Sequence, residues 1–251
     1  MSSTQSLKTS ASDSEGRVQY HRTPLLSGHD AEAKRQEIAD YFNATWFRYD
    51  ALFETLSDDR AYYQKAIPLR HPLIFYFGHT ATFFVNKLVL AGLIDQRVNP
   101  TFESMFAIGV DEMSWDDLDE AHYDWPTVRE VRTYRSQVNA LINRLIKTTP
   151  LPLPITWESP WWTIMMGIEH EHIHLETSSV LIRQQNLDWV QPHVDWAPCQ
   201  ESGEAPINDT VEIPAGRVKI GKDYDDPYYG WDNEYGEHES DIKAFKASRY
   251  L

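Results

Sequence analysis

Apolar side chains recur at helical spacing in four separate stretches of the chain. The first opens after Asp30, a residue able to cap a helix. It runs through Ile38, Tyr41, Phe42, Thr45, Phe47, Tyr49, Leu52, Phe53 and Leu56. The second begins near Pro72, a residue suited to a first helical position, and passes Phe75, His79, Phe83, Phe84 and Leu88 before Gly92. The third covers Thr127 to Lys147, with Val128, Val131, Tyr134, Val138, Leu141, Ile142 and Leu145 in register. The fourth starts at Ser159 and Pro160, a cap followed by a first-turn proline, and reaches about Gln185. Four amphipathic helices with one long crossover predict a bundle.

Between these stretches the pattern breaks for physical reasons. Residues 93–125 read as irregular and acidic, with Asp111, Glu112, Asp116, Asp117, Asp119 and Glu120. Alternate prolines after Thr149 forbid a helix and predict an extended connection. Residues 1–28 are polar and read as a disordered leader without an apolar signal core. The bundle is expected over 29–187 and a linker over 188–210. Residues 211–251 then read as the start of a β-rich second domain, with two short strands around a turn at Pro214, Ala215 and Gly216. About 41 residues are too few to bury a core of their own.

Composition narrows the function. The chain has 251 residues, with 23 Lys and Arg against 38 Asp and Glu, a formal charge of −15. That balance disfavours nonspecific nucleic-acid or anionic-membrane binding. The single cysteine, Cys199, excludes an intrachain disulfide and a thiolate-rich metal site. With no uninterrupted apolar run of spanning length in the sequence, the expectation is a cytoplasmic protein without nucleic-acid or membrane partners.

The ten histidines carry the chemistry. His170 and His174 lie four residues apart on one helix, so their rings project about 40° apart and suit a shared metal ion. Met166, Gly167, Ile173, Thr177 and Leu181 share that face. His172 and Glu176 fall on the other side with Glu169 and Arg183, which argues against Glu176 as a third ligand. A third ligand then comes from another helix. His79 is the best placed, because Phe75 and Phe83, one turn either side, put its face in the core. His71 precedes the helix and is not expected to point inward. A lone buried histidine is ordinarily a hydrogen-bonded core residue, and His pairs four apart also occur on solvated faces. Taken together, with apolar surroundings and no thiolate ligands, the three favour a His79, His170 and His174 site. Three neutral imidazoles with open positions fit non-haem Fe(II), with Zn(II) as the competitor.

These residues resemble a known family. The stretch from Pro160 to His170 and on through Glu176 to Gln184 is similar to the His-x3-His-x-Glu iron motif of the ergothioneine and ovothiol sulfoxide synthases. It is nearest the ovothiol branch, 5-histidylcysteine sulfoxide synthase. His79, within Phe77, Gly78, His79 and Thr80, matches that family's first iron histidine. Val211 to Gly216 and Tyr229 to Glu234 resemble the start of the formylglycine-generating, sulfatase-modifying-factor-like domain that follows a DinB-like helical bundle. The resemblance runs from about residue 20 to 251. It implies a mainly α chain: a DinB-like four-helix bundle, then the β-rich opening of that second domain.

It implies an iron oxidoreductase as well. Fe(II) on His79, His170 and His174, with O2, joins the sulfur of L-cysteine to the imidazole of L-histidine as a sulfoxide. Met166, Ile173, Thr177 and Glu176 are candidates for lining the substrate or backing the ligands. The ergothioneine branch carries a glutamine where Ile173 stands, and an arginine-rich stretch where Gly109 to Leu118 is acidic. Both departures favour free cysteine, because an acidic loop suits an ammonium group. An ordinary solvated acidic surface accounts for that loop equally well. The family's catalytic tyrosine lies further along the second domain than these residues reach, so an N-terminal fragment is expected, with the remainder of that domain as its partner. Trp231, Asp232 and Asn233 fit a turn as well as a substrate contact. Two other readings stay open: a DinB-like metal-dependent thiol transferase, and a non-catalytic metal-binding module.

Overall fold

The computed structural model describes residues 22–107, 124–196 and 200–250. The chain divides into two compact units, Met1–Ala197 and Pro198–Leu251.

In the first unit, Asp30 caps α1 (Ala31–Phe53), its side chain accepting from the amides of Glu32 and Ala33. A short α2 (Arg60–Tyr63) precedes α3 (Leu73–Leu90), which begins just after Pro72. From Leu73 to Thr82 every residue of α3 is buried. Over those ten residues it is buried on all sides rather than striped. By length and composition α3 could cross a membrane, but 72% of it is buried inside the unit. A core helix has the same apolar character.

The region expected to be irregular contains α4 (Pro100–Met105). Asn99 caps it, and the buried Glu103 carboxylate accepts from the amides of Val98 and Asn99. The cap and the first-turn proline were a legible start signal, hidden by the acidic run that follows. That run, Gly109 to Leu118, lies outside the described residues.

Thr127 and Glu130 form a reciprocal capping box for α5 (Val128–Thr148). Ser159 and Pro160 start α6 (Pro160–Ile182). The helices α1 and α3 each pack against both α5 and α6. The cyclic order is thus α1, α5, α3, α6. This is the expected four-helix bundle.

Two glycines let large rings approach the backbone. A Cβ on Gly167 of α6 would fall 2.0 Å from the Phe84 ring of α3. One on Gly78 of α3 would fall 2.5 Å from the ring of Phe106. Glycine at both positions brings α3 close to its neighbours where the histidines stand.

Two boundaries shift. Within the expected leader, Pro24 and Leu26 are buried, and the Leu26 carbonyl accepts from the Ile155 amide at 2.7 Å. Residues 1–21 lie outside the described residues. The start of the expected linker also belongs to the helical unit. The Ser57 amide donates to the Trp189 carbonyl and the Gln191 amide to the Thr55 carbonyl, both at 2.8 Å.

The second unit contains β1 (Thr210–Ile213), β2 (Gly216–Ile220), β3 (His238–Ile242) and β4 (Phe245–Ser248). The first two strands fall where expected, around Pro214 and Ala215, but they do not pair with each other. β1 pairs antiparallel with β4, Val211 opposite Ala247, and β2 with β3, Val218 opposite Ser240. Two separate two-stranded sheets result.

Candidate metal centre

α3 and α6 bring three imidazoles to one point. His79, His170 and His174 are 4%, 7% and 6% exposed. The Nε2 atom of His170 is 3.3 Å from that of His79 and 3.1 Å from that of His174. One ligand atom from each ring lies within 4.8 Å of the others, the only such group among the described residues. Two nitrogens each about 2.1 Å from a shared ion would be about 3.0 Å apart at a right angle and about 3.4 Å at a tetrahedral one. The two separations at His170 suit either coordination geometry, and the third pair lies within 4.8 Å.

In two of the three imidazoles the second nitrogen has a partner that orients the ring. His79 Nδ1 lies 2.6 Å from the Phe106 carbonyl oxygen, which can only accept. That ring therefore carries its proton on Nδ1 and aims a lone pair from Nε2 into the cluster. His174 Nδ1 sits 3.4 Å from Thr177 Oγ1. His170 Nδ1 is buried and without a hydrogen-bond partner. The His170 ring is held instead by stacking on Phe83, centroids 3.6 Å apart and planes 7° from parallel. Phe75 stacks on His79 at 5.1 Å.

Burial, the neighbouring His174 and His79 rings and Lys87 hold His170 well below the usual imidazole range. Burial, with His79 and Arg70, pulls His174 down to about 3. Neutral rings are the protonation state that binds metal. A single ring proton cannot serve both of His170's close nitrogen neighbours in good geometry. A divalent cation would satisfy all three lone pairs at once, so the donor set fits a transition metal of the imidazole-preferring kind.

The other candidate positions are placed differently. Met166 and Thr177 are half-buried on the histidine side of α6. Ile173 is 45% exposed, and Glu176 is exposed, so both stand outside the buried trio. His172 turns toward α1, its Nε2 3.0 Å from Thr45 Oγ1, and Glu169 accepts from the Tyr41 hydroxyl at 2.7 Å. That side of α6 is thus partly covered by α1.

His71 departs from expectation: it is buried, stacked on Phe75 at 4.3 Å. The Phe75 ring beneath it draws it inward although it precedes the helix.

Sequence reasoning missed Arg135 and Glu171, both fully enclosed and paired at 3.0 Å behind the histidines. Burial pushes the Glu171 carboxyl up to about 7, against the pull of Arg135. The signal existed. Arg135 lies on the apolar stripe of Val128, Val131 and Val138, and Glu171 lies one turn from Gly167 and Ile168.

Comparison with known proteins adds two findings. The model of a family described as the DinB superfamily matches residues 41–178, a stretch containing all three histidines. Ergothioneine biosynthesis protein 1 of Neurospora crassa is 27% identical over 226 residues, covering 83% of this chain and 25% of that protein. The chain therefore spans about a quarter of the length of this curated relative.

Proposed function

The chain belongs to the DinB superfamily, and from that premise we propose that its helical unit is the iron-binding part of an oxidative C–S bond-forming enzyme. The reading rests on one observation above the others. Three buried imidazoles meet through Nε2, and one is fixed in the ligating tautomer by the Phe106 carbonyl. The likeness to a protein named for ergothioneine biosynthesis agrees with it.

On this reading His79, His170 and His174 hold Fe(II). When bound, the metal supplies a site for a substrate thiolate and the means of using O2. The protein's own contributions are orientation and exclusion of water. Phe106 keeps the His79 proton on Nδ1. Phe83 and Phe75 fix the planes of two rings and cover them with apolar surface. The overall reaction balances: a thiol, an imidazole C–H and O2 give one sulfoxide and one water, a four-electron oxidation matched by four-electron reduction of O2.

The substrates proposed are L-cysteine and L-histidine, giving 5-histidylcysteine sulfoxide as in ovothiol biosynthesis. Ile173 and the acidic stretch from Gly109 to Leu118 support free cysteine over a γ-glutamyl donor. We read the strand unit as the opening of a sulfatase-modifying-factor-like domain. The test is mass spectrometry after incubation with Fe(II), O2, cysteine and histidine, with γ-glutamylcysteine and trimethylhistidine as the alternative pair. The expected result is an adduct of the first pair from a protein joining this helical unit to a complete second domain, absent from its His79→Ala variant, with little or none from the present chain alone. Adduct only from the second pair moves the chain to the ergothioneine branch.

A second reading has its own support. Nitrogen separations that suit a tetrahedral ion also suit Zn(II), and with it thiol transfer. Preference for Zn(II) together with transfer activity would decide for it.

A further inference from the structure

One side chain bonds to every other long helix of the bundle at the level of the histidines. Arg135 of α5 is 1% exposed. Its Nε donates to Asp50 Oδ1 of α1 at 2.8 Å. Its Nη1 donates to the Phe77 carbonyl at 3.1 Å and to Thr80 Oγ1 at 2.8 Å, both on α3. Its Nη2 donates to Glu171 Oε1 of α6 at 3.0 Å. Thr80 Oγ1 also reaches Glu171 Oε1, at 3.3 Å. The guanidinium lies over the Trp46 ring, 4.3 Å from its centroid.

The placement of these bonds matters more than their number. Thr80 is the residue after His79, and Glu171 is the residue after His170. The fork therefore ties α3 to α6 at the two positions adjoining the histidines whose Nε2 atoms are 3.3 Å apart. Successive helical residues point about 100° apart, so the tie stands beside the imidazoles rather than among them. A buried cation paired with one buried carboxylate, Glu171, and one partly exposed one, Asp50, is a poor source of stability. Apolar side chains of the same volume commonly do as well or better, because desolvating charges offsets their attraction. A rigid planar fork with fixed donor directions does something apolar packing does not: it sets a separation.

We infer that Arg135, with Thr80 and Glu171, is a positioning group for the metal centre, fixing the distance between the two helices that carry its ligands. The inference rests on the metal reading above, and the experiment separates the two. Co(II) serves as the probe, because its visible absorption reports coordination geometry directly. Binding is measured on the native chain and on an Asp50→Asn, Arg135→Met, Glu171→Leu variant, with a thermal melt of each.

The expected result is a variant that melts at or above the native temperature yet binds Co(II) at least ~10-fold more weakly, with an altered band. Arg135→Lys keeps the charge without the fork and should fall between the two. Should the triple variant fail to fold, Arg135→Lys carries the same two readouts. Native affinity and an unchanged band in the folded variant would overturn the positioning role alone. A native chain that binds no Co(II) overturns the metal reading and the positioning role together.

Discussion

The helical unit and the strand unit solve the problem of burial in opposite ways. In α3 ten consecutive residues, Leu73 to Thr82, are buried. In the strand unit no strand residue is buried, and large apolar side chains such as Ile220, Phe245 and Tyr224 stay exposed. Two separate two-stranded sheets have little apolar surface to set against the entropy of ordering the chain. The difference teaches where chemistry can be located. Imidazoles are held in one orientation only where a packed interior excludes water and neighbours fix each ring. The helical unit fixes the His79 ring through the Phe106 carbonyl and the His170 ring through its stack on Phe83, while the His170 Nδ1 atom stays buried without a hydrogen-bond partner.

The comparison can be broken or sharpened by substitution. The largest effect is expected at Gly167, where a methyl group would overlap the Phe84 ring. Gly167→Ala should cost about 1–3 kcal/mol by overpacking and lower the melting temperature of the helical unit. An unchanged melt would mean that α3 and α6 are not in tight contact there. Next comes the start of α5. Thr127→Ala removes a side chain that accepts from the Glu130 amide and should cost about 1 kcal/mol, read by denaturant unfolding. The smallest effect is expected in the strand unit. Arg217 pairs with Glu239 at 2.6 Å on an exposed face, and Arg217→Ala should shift stability by under ~0.5 kcal/mol. A large loss there would show that the strand unit is held more firmly than its burial implies.

The helices were legible because their signals are local. Asp30, Thr127 and Ser159 announce their own helix starts, and the apolar stripe of α5 repeats at helical spacing. The histidine trio was legible for the same reason: a four-residue spacing on α6, and a ring between two phenylalanines on α3. Strand pairing was not, because Val211 meets Ala247 across 36 positions and neither segment marks its partner. Arg135 and Glu171 were overlooked because charged residues in a helix ordinarily face water. Their apolar stripe positions were visible, but their compensation by one another, Asp50 and Thr80 is a tertiary fact. His71 turned inward through an aromatic stack that its position before the helix does not announce.

The central claim is that three imidazoles on two helices hold one metal ion. Anaerobic loading with Fe(II), followed by metal analysis of the desalted protein, tests it most directly. The account predicts about one iron per chain, absent from a folded His170→Ala, His174→Ala variant. A native chain that retains no metal, or a double variant that retains as much as the native chain, would contradict it.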